Sequence, residues 1–219
     1  MGLSDRAEQL SPRRRGRPPR DEALLADARA RLLREGVAIL TERGFSGLGL
    51  DEILTVAGVP KGSFYHYFGS KADFGLALID AYSAYFVRKL DRWFLDESLS
   101  PLNRLRSFIE DARSGVVRFD YRRGCLVGNL GQEIVSLPDQ YRERLASVFQ
   151  AWEARTAVCL EKAKAEGEIS ADTDCSQMAA FFWIGWEGAV LRAKVERSDA
   201  PLRDFSNGFL KLISNLTEA

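Results

Sequence analysis

Apolar positions recur every three or four residues along most of this chain, and no stretch alternates residue by residue as a strand would. From Lys71 to about Leu95, the stripe Leu78, Ile79, Tyr82, Tyr85, Phe86, Leu90 and Trp93 predicts one long helix. Pro101 opens the next, with Leu105, Phe108, Ile109, Ala112 and Val116 along its inner side, and Arg122-Arg123-Gly124 breaks the pattern. A short helix from about Cys125 to Ser136 follows. A long one then starts at Pro138, carries Tyr141, Leu145, Val148, Phe149, Trp152, Cys159 and Leu160, and stops at Glu166-Gly167-Glu168. Two more helices run from about Cys175 to Arg197 and from Pro201 to Leu216. The whole reads as an all-α chain of roughly nine helices.

The segment from Asp51 to Phe74 breaks this rhythm into shorter pieces. A first short helix turns Ile53, Leu54 and Ala57 toward a core, and Gly58 ends it, since glycine accepts the left-handed conformation of a C-terminal cap. Val59 packs under the turn, and Pro60 sets the direction of a second helix from about Lys61 to Tyr67. That helix exposes Lys61, Ser63, Tyr65 and His66, all hydrogen-bond donors. This is the pattern of a helix-turn-helix whose second helix enters a major groove. Ser70 caps the third helix, with Asp73 three residues on. Lys71, at the start of that helix, opposes the dipole, and a DNA phosphate would explain it.

The segment resembles the DNA-binding domain of the TetR family of transcriptional repressors. The likeness rests on Gly44-Phe45, Ile53, Ala57-Gly58-Val59, Lys61-Gly62-Ser63, Tyr65-His66-Tyr67-Phe68 and Ser70-Lys71, over about Leu25 to Ala77. One departure is Leu48-Gly49, where the family usually opens the second helix with Ser or Thr. The resemblance implies a helix-turn-helix domain over residues 21–70 and a ligand-binding and dimerisation domain over 71–219. It also implies a homodimer on a palindromic double-stranded operator, released by a small-molecule inducer. The competing reading is a ligand-independent, architectural DNA-binding dimer.

Charge sharpens the picture at the N-terminus. Lys and Arg number 31 and Asp and Glu 31, a formal net charge of zero. Yet Ser11 to Arg20 holds five Arg and no acid. Its prolines and Gly16 keep Pro12 to Arg20 extended, and residues 1–20 read as a flexible basic arm. Arg15-Gly16-Arg17-Pro18 looks like an AT-hook core, in which Arg15 and Arg17 enter a narrow A·T minor groove. The plain alternative is a solvated basic tail. The longest apolar run, Met178 to Trp186, is nine residues, too short for a membrane span. With no signal peptide and three widely spaced cysteines, the chain is expected to be cytoplasmic and free of disulfides.

The last two helices suit a partner chain. Leu202, Phe205, Phe209, Leu212, Ile213 and Leu216 form a seam on the final helix, and Gly185, Ala189 and Ala193, with Gly188 beside them, allow close approach on the one before it. In the resembled family, these helices form a four-helix dimer interface. The alternative is packing inside one subunit.

The segment Gly124 to Glu133 carries a second candidate site. Leu126, Leu130, Ile134 and Leu137 make a buried row, while Cys125, Asn129, Gln132 and Glu133 make a separate polar one. A polar row beside an apolar core is read as the lining of a ligand pocket, with Trp152, Trp183, Trp186 and Glu187 as its other walls. The alternative is that Asn129 and Gln132 cap neighbouring helices. This segment, with WEGAVLRAK and Pro201-Leu202, is similar to a subgroup of the same family that responds to acrylate and to electrophiles. The likeness implies a small unsaturated acid such as acrylate as inducer, and Cys125 as a reactive thiol. Arg122-Arg123 and a helix N-terminus would both lower the pKa of Cys125. A small buried hydrophobe is the other reading. Arg118, Arg122 or Arg123 could meet an acid's carboxylate.

Enzyme chemistry finds little support. The only histidine is His66, on the recognition helix, so no Ser-His or Cys-His pair exists in the larger domain. No zinc spacing and no phosphate-binding glycine loop is present, and no cofactor or metal is expected. A carboxylate pair such as Glu133 and Glu187 is the one remaining enzymatic reading.

Overall fold

The computed structural model describes residues 20–47 and 49–215. Arg15, Arg17 and the rest of the basic arm up to Pro19 lie outside the described residues, as do Leu48 and Leu216. Among the described residues there are nine α-helices and no strand. They are α1 (Arg20–Arg43), α2 (Leu50–Ala57), α3 (Lys61–Tyr67), α4 (Lys71–Phe94), α5 (Pro101–Arg118), α6 (Leu126–Gln132), α7 (Asp139–Ala165), α8 (Cys175–Glu196) and α9 (Ala200–Asn215). The all-α expectation holds. The short helix expected to reach Ser136 instead ends at Gln132, and a separate 3-10 turn covers Ile134–Ser136.

Helices α1–α3 close around Leu32, Leu40, Ile53, Leu54, Phe64 and Phe68, with Phe74 from the first turn of α4. The rings of Phe64, Phe68 and Phe74 meet pairwise at centroid distances of 4.8–5.3 Å, within the range where aromatic pairs add to burial. α4 runs on from this cluster and packs against α5 and α7, which pack against each other, and α7 packs on α8. The larger core is aromatic. Trp152 stacks within 4.3 Å of Phe86 and 4.9 Å of Trp183, and the Trp183 indole donates to Thr156 Oγ1 at 3.0 Å.

The seam assigned to a partner chain is used inside the subunit. A Cβ on Gly185 would lie 2.1 Å from Phe205 Cε2, and Leu202, Phe209 and Ile213 are buried where α9 packs on α8. Left exposed are Phe181, Ile184, Leu191 and Val195 on α8, with Leu212 on α9. α8 is apolar on nearly all sides. Periodicity alone could not say which side meets α9.

Candidate functional site

The helix-turn-helix forms as its residues dictate. Gly58 adopts φ 61° and ψ 38°, and the Val59 N–H donates back to the Leu54 carbonyl at 3.0 Å, closing the C-terminus of α2. Pro60 precedes α3 in an extended conformation. Ser70 Oγ accepts from the Asp73 N–H at 3.0 Å and donates to Asp73 Oδ2 at 2.9 Å, which fixes the start of α4. Gly49 precedes α2 with no side-chain cap, as its missing hydroxyl requires.

On this frame Phe64 is buried beneath α3, while Lys61, Tyr65 and His66 are exposed and Ser63 is half-buried. Lys61 Nζ pairs with Asp51 Oδ1 at 3.1 Å, a solvated contact of little energy that leaves the lysine at the surface. Lys71 Nζ lies 4.7 Å from the centre of the Phe45 ring. A cation–π contact therefore supplies one reason for a lysine at this helix start.

A second site lies where α1 meets the C-terminal helices: a cavity of about 350 Å³. Val37 and Thr41 of α1 form one wall, and Tyr82, Tyr85 and Phe86 of α4 a second. Val116 of α5 and the 119–125 segment continue it, and Trp186, Glu187 and Val190 of α8 close it. Cys125, Trp186 and Glu187 thus stand where the sequence places a pocket. Three cations, Arg34, Lys89 and Arg123, also reach it. Lys89 Nζ pairs with Asp111 at 3.4 Å, Arg34 Nε with Glu35 at 3.1 Å, and Arg123 Nε with Glu42 Oε1 at 2.9 Å. Hydrogen bonding to Arg123 is the main reason the Glu42 carboxyl titrates below its ordinary value.

The other five expected lining residues lie elsewhere. Trp152 and Trp183 are buried in the aromatic core and do not reach the cavity. The polar row of α6 faces α1, outside this cavity. Asn129 Nδ2 donates to the carbonyls of Leu40 and Thr41 at 2.9 and 3.0 Å. Glu133 accepts from the N–H groups of Phe45 and Ser46 at 2.9 and 2.7 Å. Gln132 is exposed and donates to the Gly128 carbonyl at 3.4 Å. This capping role also explains Gly44: its φ is +75°, and a Cβ there would lie 1.9 Å from Glu133 Oε1.

Cys125, Tyr82 and Glu187 all line the cavity and lie close enough to influence one another's titration. Burial pushes Tyr82 and Cys125 well above their ordinary values and Glu187 up to about 7. The lowered pKa expected of Cys125 is therefore reversed. Arg122 and Arg123 turn to Glu42, not to the thiol. The helix N-terminus contributes only a 3.5 Å contact from the Gly128 N–H, which burial and the nearby Glu187 outweigh. Alkylation of Cys125 by iodoacetamide at pH 8 should accordingly run at least about tenfold slower than that of a free thiol. Timed mass spectrometry measures it. A rate equal to that of a small-molecule thiol would contradict a neutral, enclosed Cys125.

Arg34, Thr41, Tyr82, Tyr85 and Lys89 were not picked out from sequence. Lys89 had a signal: it sits seven residues after Tyr82 within the apolar stripe of α4, where a charge needs a partner. Among the described residues, no group of three or more His, Cys, Asp or Glu is placed to hold a metal, and no helix is long and apolar enough to cross a membrane.

Known proteins share both halves of this arrangement. Residues 32–78 match the model for bacterial regulatory proteins of the tetR family, and residues 101–209 match a tetracyclin repressor-like C-terminal domain. The transcriptional regulator AcuR of Cereibacter sphaeroides is 56% identical over 210 residues, covering 95% of each chain. The HTH-type transcriptional repressor NemR of Escherichia coli is 30% identical over 81% of this chain and 89% of its own. A crystal structure of a regulatory protein TetR from Rhodobacter sphaeroides superposes with a TM-score of 0.83 at 56% identity, covering 84% of this chain and 97% of that one.

Proposed function

Because the chain belongs to the TetR family of bacterial regulators, whose members bind DNA and are typically dimeric, we propose that it is a repressor released from a palindromic operator by a small acid. The observation that carries this reading is the cavity. Its walls come from α1, α4, α5 and α8, so its occupant touches the same α1 that packs on α2 of the helix-turn-helix. Aromatic walls with a few converging polar groups fit a small amphipathic molecule, and the cations Arg34, Lys89 and Arg123 favour a carboxylate over a neutral or cationic one. Acrylate is the first compound to try. A ligand-independent architectural dimer would have no use for such a cavity.

In this reading residues 1–20 form a minor-groove arm, 21–70 the DNA-binding domain and 71–219 the effector and dimerisation domain. Lys61, Ser63, Tyr65, His66 and Lys71 face DNA, and the α8 and α9 face with Ile184 and Val195 meets the partner. Relatives that are themselves repressors favour repression over activation.

The test is fluorescence anisotropy on an operator selected from a random duplex pool, titrated with acrylate, propionate and the neutral isostere acrylamide. Release by the acids but not by acrylamide supports the proposal. Binding indifferent to all three leaves the architectural reading standing. On the DNA side, Lys61→Ala and Tyr65→Ala should each weaken binding by roughly tenfold, on the order of 1–3 kcal/mol. Lys61→Ala should also lower the slope of log affinity against log salt by about one, and Tyr65→Ala should leave it unchanged. Equal slopes in both variants would remove the phosphate role from Lys61.

A further inference from the structure

The last turn of α1 is held from outside its own helix. The terminal carbonyls of a helix lack partners within it, and here the C-terminal part of the chain supplies them. Asn129 takes those of Leu40 and Thr41, the Gly124 N–H donates to Thr41 at 2.9 Å, and Lys194 Nζ makes longer contacts of 3.5 Å to Thr41 and Glu42. Glu133 then caps Phe45 and Ser46 just beyond. One further tie is an ion pair. Glu42 accepts from Arg123 at 2.9 Å on Oε1 and from Arg122 at 3.4 Å on Oε2.

Arg123 is the side-chain tie that also lines the cavity, which Gly124 borders beside it, whereas Glu42 does not line it. Its guanidinium stacks 4.1 Å from the centre of the Phe119 ring, and it spends Nε on Glu42. Among the described residues its two Nη groups make no hydrogen bond. An arginine with a free fork binds a carboxylate through two parallel bonds. The other cations at the cavity are less suited. Lys89 is held by Asp111, which is itself bonded to the Trp93 indole, and Arg34 is exposed beside Glu35. A carboxylate entering the cavity therefore meets Arg123 with Glu42 already beside it, and two carboxylates near one cation repel each other.

Building on the small-acid reading of the cavity, we propose that the ligand's carboxylate and Glu42 compete for Arg123, so that ligand entry loosens the hold on the last turn of α1. Arg123 is then the residue that converts occupancy into a change at the helix-turn-helix. A ligand shifts an equilibrium only through its different affinity for the two states. Here that difference is the Arg123–Glu42 pair, present in one state and given up in the other. By reciprocity, the acid must lower operator affinity by the same factor as the operator lowers acid affinity, and weakening the pair should strengthen acid binding and weaken operator binding.

The test is calorimetric titration of acrylate into the full-length protein, with operator anisotropy on the same samples. Glu42→Gln removes the competitor, and acrylate should bind about tenfold tighter. Its operator affinity without ligand should fall, and acrylate should release it less. Arg123→Gln should weaken acrylate binding at least tenfold while leaving acrylamide binding unchanged. Glu42→Asp keeps the charge but shortens the reach, and should shift acrylate affinity in the same direction by less. It serves if Glu42→Gln does not fold, which thermal melting shows. Unchanged or weaker acrylate binding when Glu42 is altered overturns the competition, even if acrylate still releases the operator. Absence of acid binding to the unaltered protein is a different failure: it removes the small-acid reading and the competition with it.

Discussion

Glu187→Gln should stabilise the protein above pH 7 by up to about 3 kcal/mol and change its stability by a small fraction of that at pH 5. The carboxyl titrates near 4.5 in an unfolded chain and at about 7 in place, pushed up by burial. Between those values the folded state keeps a proton that the unfolded state has lost, so stability is lost as pH rises through the window. Above it the full cost persists, because Glu187 must ionise where burial opposes charge. Each tenfold difference in proton affinity between the two states is worth about 1.4 kcal/mol, and water entering the cavity would reduce the sum. Glutamine keeps a group that can bond to Cys125 and removes the titration. Urea midpoints at pH 5 and pH 8 measure the effect. A Glu187→Gln difference that is the same at both pH values would mean that the carboxyl is not perturbed in the folded state.

Ile184→Glu should turn the proposed dimer into a folded monomer. Phe181, Ile184, Leu191 and Val195 fall on one stripe of α8, with Ile184 73% and Val195 78% exposed in the single chain. A run of exposed apolar side chains on a well-packed helix marks an association surface. In a two-fold dimer each substitution appears twice. Burying two unpaired carboxylates at the centre should raise the dimer dissociation constant by at least roughly a thousandfold, or about 4 kcal/mol. Sedimentation velocity at micromolar concentration reads it directly. Phe209→Glu should behave differently, giving an unfolded or insoluble chain, because Phe209 is buried between α8 and α9 of one subunit. A stable Ile184→Glu dimer would show that association uses another face.

The helix-turn-helix was readable because its residues act locally. Gly58 must be left-handed, Ser70 must cap, and Phe64 must face inward whatever surrounds them. Periodicity likewise placed most of the long helices. The cavity was only half readable, because which face of a helix meets which neighbour is a tertiary fact. The polar row Asn129, Gln132 and Glu133 is real, but Asn129 and Glu133 spend their polar groups on α1. The same limit hid Arg34 and Thr41, whose part in the cavity depends on how α1 crosses the larger domain. It also misplaced Gly185. A glycine announces close approach, but not whether the approaching ring belongs to the same chain. For Cys125, neighbours in sequence misled: Arg122 and Arg123 adjoin it along the chain, yet they point at Glu42.

The grip on α1 bears on how such regulators can be recombined. A designer wishing to join this effector half to another DNA-reading half would cut the chain near Ser70, where α3 gives way to α4. That cut separates Gly44 from Glu133, although the two fit each other so closely that any side chain at position 44 would collide with the carboxylate. A graft from a protein lacking a glycine there would push Glu133 away from the N–H groups it accepts from just beyond α1. The transplantable unit is thus discontinuous: α1–α3 must travel together with the face of α6 that seats them.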